Sequence, residues 1–125
     1  MLRILLVSAR QETMDPFAEG LASDPEVRLE QIGSGAEALS VVRTASPHLV
    51  IIDSELPDMG SLSLVPELLM VNAMVNTAVV SPLSDQEFHE ASEGLGILAR
   101  LPLMPGGSDA AELLRKLRQL LGLIT

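Results

Sequence analysis

The chain has no cysteine, no tryptophan and no tyrosine, and its only aromatic residues are Phe17 and Phe88. Without cysteine there are no disulfides and no thiolate metal sites. The two histidines, His48 and His89, lie far apart in the sequence, so no ligand cluster for a structural zinc is legible. With no indole or phenol ring to stack on a flavin, and no phosphate loop, a small cofactor enzyme is disfavoured. Basic residues are also scarce: 8 Lys plus Arg stand against 17 Asp plus Glu, a formal net charge of -9. That charge opposes tight non-specific binding to nucleic acid or to an anionic membrane. The expected partners are proteins or cations. Long apolar runs are missing too. None approaches the ~20 residues that span a bilayer, and the N-terminus lacks the order of a signal peptide. A cytoplasmic location is expected.

What remains is 125 residues, 47% apolar and 20% charged. This is one domain's worth of chain, read as a single domain over 1–125 and too apolar for disorder. Its core must be aliphatic. Leu2 to Val7 reads as a buried strand. Asp15-Pro16 has the form of a helix start, with Asp as cap and Pro at the first position. Phe17 and Leu21 share that helix's buried face, Gly20 weakens it, and Ser23-Asp24-Pro25 ends it. Val27 to Ile32 largely alternates, as an edge strand does. Gly33-Ser34-Gly35 turns into a helix whose stripe is Ala38, Leu39, Val42 and Ala45. Leu49 to Ile52 is the continuous, mostly β-branched run of a central strand, and Asp53 stops it.

A third helix is expected from Leu62 to about Met70, begun late or bent by Pro66. Thr77 to Val80 is a fourth strand, stopped by Ser81-Pro82. Ser84 and Glu87 have the spacing of a capping box for a short helix ending near Gly94. Ile97 to Arg100 is a fifth strand. Asp109 and Glu112 form an expected cap pair for the last helix. Ala110, Leu113, Leu114, Leu117, Leu120 and Leu121 line one face of it, and Gly122 stops it. Residues 123–125 are expected to fray. Strand and helix alternate five times, (βα)5. Such a chain builds a doubly wound α/β fold, a five-stranded parallel sheet with helices on both faces.

In an open parallel sheet, ligands sit outside the C-terminal ends of the strands. The residues there are Ser8-Ala9, Gly33, Asp53, Ser81 and Leu101. Asp53 is the only carboxylate in that set. It is either a solvated turn residue or a reactive group, since an aspartate can act as a nucleophile and carry a phosphoryl group. Ser81 has a plain reading as a turn hydroxyl before Pro82. Neither histidine has a nucleophile at motif spacing, and Gly33-Ser34-Gly35 is not a dinucleotide fingerprint.

Five βα units, LVIID ending at Asp53, Pro57 four residues on, Ser81 after the fourth strand and Pro102 after the fifth together resemble a known family. The chain is similar, over essentially its whole length, to the receiver domain of bacterial two-component response regulators. The resemblance implies a flavodoxin-like topology with strand order 2-1-3-4-5. It implies phosphorelay signalling in place of enzyme activity, with Asp53 accepting a phosphoryl group from a histidine kinase. Ser81 would bond that group and switch the distal face. The fourth helix, fifth strand and fifth helix would dock a signalling protein or a second copy of the chain. There Phe88, Leu101, Leu103 and Met104 lie near Arg115, Lys116 and Arg118.

The sequence departs from the family at several of these positions. Ser8 and Ala9 stand where the family has the acidic pair that holds Mg2+, and Leu101 stands where it has a lysine. The usual glycine of the loop after the third strand falls on Ser61, with Gly60 one residue early, and Pro82 replaces a small residue. Mg2+ is drawn by carboxylates, and phosphoryl transfer needs cationic charge on the transferring oxygens. Ser8 offers a neutral oxygen, the Ala9 side chain offers nothing, and Leu101 carries no charge. Asp53 alone is a poor site for Mg2+, the one ion the resemblance implies. Two residues of the first loop are candidates to compensate, Glu12 as a substitute ligand and Arg10 as a cation paired with Asp53. An ordinary solvated charge is the plainer expectation for each. Two functions therefore compete: a receiver phosphorylated at Asp53, and a pseudo-receiver whose state is set by a protein partner.

Overall fold

Ten elements alternate along the chain: β1 (Leu2–Val7), α1 (Gln11–Ala22), β2 (Val27–Ile32), α2 (Gly35–Thr44), β3 (Leu49–Ile52), α3 (Ser61–Val71), β4 (Asn76–Val80), α4 (Asp85–Ala91), β5 (Ala99–Leu101) and α5 (Gly107–Leu120). They come from a computed structural model that describes residues 1–123. The other two positions of the expected frayed end lie outside it. All four strand pairings are parallel, in the order β2-β1-β3-β4-β5. This is the expected doubly wound sheet.

Side-chain alternation sorts the core into two layers. Leu2, Ile4 and Leu6 of β1, with Leu49 and Ile51 of β3, face Met14, Phe17 and Leu21 of α1 and Leu113 and Leu117 of α5. Leu5, Val7, Val50 and Ile52 face the other way, onto Val42 of α2, Leu64 and Leu68 of α3 and Phe88 of α4. Every residue of β3 is buried, which is why its sequence is apolar throughout. β2, at the edge, is partly exposed along its length.

Several boundaries differ from the sequence expectation. α1 starts at Gln11, well before the expected cap at Asp15, and Pro16 lies inside it. Met14 explains the early start: with Phe17, Ala18 and Leu21 it completes one buried helical face. Proline at this depth costs one i→i−4 hydrogen bond, and burial of Met14 offsets that loss. Pro66 likewise lies inside α3, which begins at Ser61 and continues past the proline to Val71. α2 begins within the expected turn, with the Ser34 hydroxyl accepting from Glu37 N, and Ala45 has already left the helix. Asp58, in the β3–α3 loop, closes the same helix end. Its Oδ1 accepts from Gly35 N and its Oδ2 from Ala36 N, each at 2.9 Å.

β5 occupies Ala99–Leu101 and not 97–100. Gly94 and Gly96 have φ of 83° and 65°, so the chain is still turning there. Its register with β4 begins at Ala78↔Ala99. Ser84 and Glu87 close their capping box as expected. At α5 the cap is Asp109 alone, its Oδ2 accepting from Gly106 N at 2.8 Å. Glu112 pairs with Arg115 instead. Leu120 and Leu121, expected on the buried face, are 56% and 36% exposed, because the apolar contact of α5 ends at Leu117. Gly122, at φ 76°, stops the helix as expected. Its amide donates to Gln119 O and Leu123 N donates to Arg118 O, the paired bonds of a Schellman end. Gly20 has a use the sequence did not suggest. A Cβ there would lie 2.9 Å from Ala110 Cβ and 3.0 Å from Gly107 Cα, so the glycine lets α1 and α5 touch.

Candidate functional site

The register of β1 and β3 pairs Val7 with Ile52, so Ser8 and Asp53 emerge side by side. They lie where the strand order reverses, the usual ligand crevice of such a sheet. Asp53 N donates to Val7 O at 2.9 Å, fixing the residue to the central strand. Its carboxylate is fully buried, and both oxygens are engaged. Oδ2 accepts from Ser8 Oγ at 2.7 Å and from Arg10 Nε at 2.8 Å. Oδ1 accepts from Arg10 Nη2 and from Ser54 N, each at 2.7 Å. The guanidinium thus meets the carboxylate as a fork, the geometry for which arginine is suited and lysine is not.

Arg10 is the residue that caps α1, so the early start of that helix is what sets the guanidinium's origin. Arg10 N donates to Ser8 Oγ at 3.0 Å, and Nη2 also reaches Leu103 O at 2.9 Å. One side chain thereby ties the β1–α1 loop, the end of β3 and the β5–α5 loop together. Burial pushes the Asp53 carboxyl pKa up, but hydrogen bonds from Arg10, Ser8 and Ser54 N, with the Arg10 charge, outweigh it. The net result lies below the usual carboxylate range. The hydrogen bond with Asp53 likewise raises Arg10 against its partial desolvation.

The structure brings Ser8, Arg10 and Asp53 together and leaves the other sequence candidates apart. Ala9 is exposed at the rim. Glu12 is exposed in the first turn of α1 and makes no hydrogen bond or ion pair with Asp53. Among the described residues, no group of three or more His, Asp or Glu side chains could hold a metal ion. The residues present do not fit Mg2+: the one carboxylate at the site already has a cation on both oxygens. Leu101 puts its side chain in the core, 4% exposed, and its carbonyl accepts from Ser81 N at 3.0 Å.

Ser81 is 7% exposed at the end of β4. Its Oγ accepts from Leu83 N at 3.2 Å, a local turn bond, and Pro82 has no amide to offer. Between Ser81 and the Arg10–Asp53 pair lies a cleft of about 540 Å³, whose lining includes Arg10, Ser54, Glu55, Ser61 and Leu62. Ser61 drew notice in the sequence only as a displaced glycine position. No spacing rule marks a single serine at a helix start as a site residue.

The expected docking face is also altered. Phe88 and Leu101 are buried and cannot contact a partner, whereas Leu103 and Met104 are 40% and 78% exposed. Arg115 pairs with Glu112, and Arg118 pairs with Asp24 at 2.6 Å. His48 is structural, its Nδ1 accepting from Arg3 N at 3.0 Å, and His89 is exposed on α4. Among the described residues no helix is long and apolar enough to cross a membrane.

This sheet order, these five helices and an aspartate ending the central strand define the receiver class of fold. Solved structures agree. The chain is similar to the CheY-like response regulator receiver domain protein of Methanospirillum hungatei JF-1, with a TM-score of 0.83, 20% identity and 98% of each chain covered. It is also similar to the response regulator domain of Thermotoga maritima CheB, with a TM-score of 0.78, 19% identity and 100% and 99% covered. The chain has the fold of the receiver domains of two-component response regulators. No protein-family profile matches it. Among curated proteins it is 34% identical over 83 residues to the protein-glutamate methylesterase/protein-glutamine glutaminase 2 of Cereibacter sphaeroides, covering 66% of this chain and 22% of that protein. It is 26% identical over 87 residues to the protein-glutamate methylesterase/protein-glutamine glutaminase 1 of Methanospirillum hungatei JF-1, covering 69% and 25%. The chain thus spans about a quarter of the length of the curated relatives it matches.

Proposed function

We propose that the chain is a phosphorylation-independent receiver module that acts by binding a signalling protein, with the Arg10–Asp53 pair holding its site in one state. What carries the reading is the occupation of Asp53. Its two oxygens accept four close hydrogen bonds, two of them from one guanidinium. A carboxylate oxygen in that position is a poor nucleophile, because attack on phosphorus requires it to shed a charged donor first. The charge that Mg2+ and lysine would bring to the transferring oxygens is replaced by an internal cation already neutralised by Asp53. Histidine kinases and other two-component proteins are the partner class. A homodimer through α4, β5 and α5 is the other arrangement, and Leu103 and Met104 are its exposed apolar contacts.

A second reading keeps Asp53 as phosphoacceptor. It is favoured by the depressed pKa, which keeps the carboxylate anionic, and by Ser81 across the cleft. It requires Arg10 to swing away. Intact mass after incubation with acetyl phosphate, with and without Mg2+, beside Asp53→Ala, separates the two. No added phosphoryl group on the folded protein, with hydrolysis during work-up excluded, is the expected result. A Mg2+-dependent phosphoryl adduct absent from D53A would establish the second reading.

A further inference from the structure

We propose that the open edge of β2 is a surface for a second copy of this chain, the two β2 strands pairing antiparallel about Leu29 into one continuous sheet. β2 is the longer of the two sheet edges, six residues against the three of β5. At β5, Arg100 is paired with Asp85. On β2, Arg28 and Glu30 are exposed and form no ion pair among the described residues. The backbone is open as well. Leu2 N donates to Glu26 O, and Ser8 N to Ile32 O, so the even-numbered residues of β2 bond β1. The alternation of a parallel ladder then turns the amides and carbonyls of Leu29 and Gln31 outward. Such an edge is a template for another strand.

The charges specify which strand. Arg3 stands directly opposite Arg28 in the β1–β2 register, and Leu5 opposite Glu30. Like charges in that relation destabilise a sheet, and no carboxylate pairs with either arginine among the described residues. Antiparallel pairing centred on Leu29 places Arg28 of each copy across from Glu30 of the other. This is the non-hydrogen-bonded position, where side chains approach most closely. The row across the joined sheets then reads Arg3, Arg28, Glu30, Leu5, and the second copy's carboxylate answers the facing arginines. Leu29 N of each copy donates to Leu29 O of the other, and Gln31 N to Val27 O. Outward groups allow two neighbouring registers, but one opposes Arg28 to Arg28 and the other Glu30 to Glu30. An acidic or a basic peptide would match one charge of the edge, whereas a second copy matches both. The net charge of -9 repels the copies at long range, so association needs enough salt to screen that repulsion.

This surface is distinct from α4, β5 and α5, and the proposal holds whatever the state of Asp53. Sedimentation equilibrium in about 0.15 M salt, with protein up to about 1 mM, is expected to show the mass rising from 13.3 kDa toward twice that. Arg28→Glu and Glu30→Arg should each weaken association at least about tenfold. An equimolar mixture of R28E and E30R should recover it, and so should the double variant, since both restore opposite charges at every 28–30 contact. Both positions are exposed, and circular dichroism checks that the variants fold. In the wild-type protein, amide hydrogen exchange at Leu29 and Gln31 should slow as the dimer forms. A monomer throughout the range, a dimer indifferent to R28E, a mixture that does not recover, or unchanged exchange at Leu29 and Gln31 would each overturn the proposal.

Discussion

Arg10 meets Asp53 edge to edge, Nε 2.8 Å from Oδ2 and Nη2 2.7 Å from Oδ1, but the two side chains differ in exposure, 35% against 0%. The pair is therefore unequal in what each partner leaves behind. Arg10→Ala strands a buried carboxylate with only neutral donors. Asp53→Asn keeps an oxygen for Ser8 and leaves a guanidinium that can turn to water.

Breaking a fully buried pair costs about 3–5 kcal/mol, and water access at Arg10 lowers this. We expect about 2 kcal/mol for R10A and less than about 1 kcal/mol for D53N. Urea denaturation of both proteins measures the difference. A larger loss in D53N would contradict the asymmetry.

The depressed pKa of Asp53 carries a pH dependence with a definite sign. A carboxylate whose folded-state pKa is below its unfolded value of about 3.9 stabilises fully above that value. The contribution is lost as pH falls through the folded-state pKa. The urea midpoint should thus owe no slope to Asp53 between about pH 7 and 5, and should drop below about pH 4. Asp24 and Asp58 are shifted in the same direction by their hydrogen bonds and add to the drop. In D53N the acid limb should be shallower, and superposable curves would remove Asp53 from the account.

At Gly20 two effects oppose. Alanine is better in a helix by about 1 kcal/mol, but its Cβ would sit 2.9 Å from Ala110 Cβ and 3.0 Å from the Gly107 backbone. Neither neighbour is a flexible side-chain end, and overpacking costs about 1–3 kcal/mol. Gly20→Ala is therefore expected to lower the thermal midpoint, and a rise would show that α1 and α5 separate easily.

Asp58 holds two amides of α2 from a distant loop. In Asp58→Ala, amide hydrogen exchange should speed up at Gly35 and Ala36. It should change little at Glu37, whose amide Ser34 still accepts. Unchanged exchange at all three sites would mean that water replaces Asp58 without loss.

The parts of the fold readable in advance were those encoded by short-range pattern. β3 was legible from Leu49–Ile52, and Asp53 from its place as the polar residue ending that run. The Ser84–Glu87 box and the Gly122 stop were legible because a cap is a local device. Pro16 was misread as a boundary, because the burial of Met14 that sustains the earlier start of α1 is tertiary, whereas Pro66 lies inside its helix as expected and α3 begins without delay at Ser61. The sequence marks Arg10 as one candidate partner for Asp53 among others, since its reach depends on where α1 begins. Ser61 was visible only as a displaced glycine position, since its place in the cleft lining is set by the whole fold.

The contact of Gly20 with Gly107 and Ala110 also bears on how the molecule comes to be made. α1 and the three strands it first meets all precede Asp53, whereas α5 comes last in chain order. Synthesis is vectorial, and N-terminal parts are available first. Until residues 107–117 leave the ribosome, the sheet face carrying Ile51, Ala78 and Val80 has only α1 over it. A chain stopped before Gly107 is expected to bind a hydrophobic dye that the whole chain excludes, and equal binding by both would refute this. The last of these ten elements to emerge is thus the one that completes the cover of this sheet face.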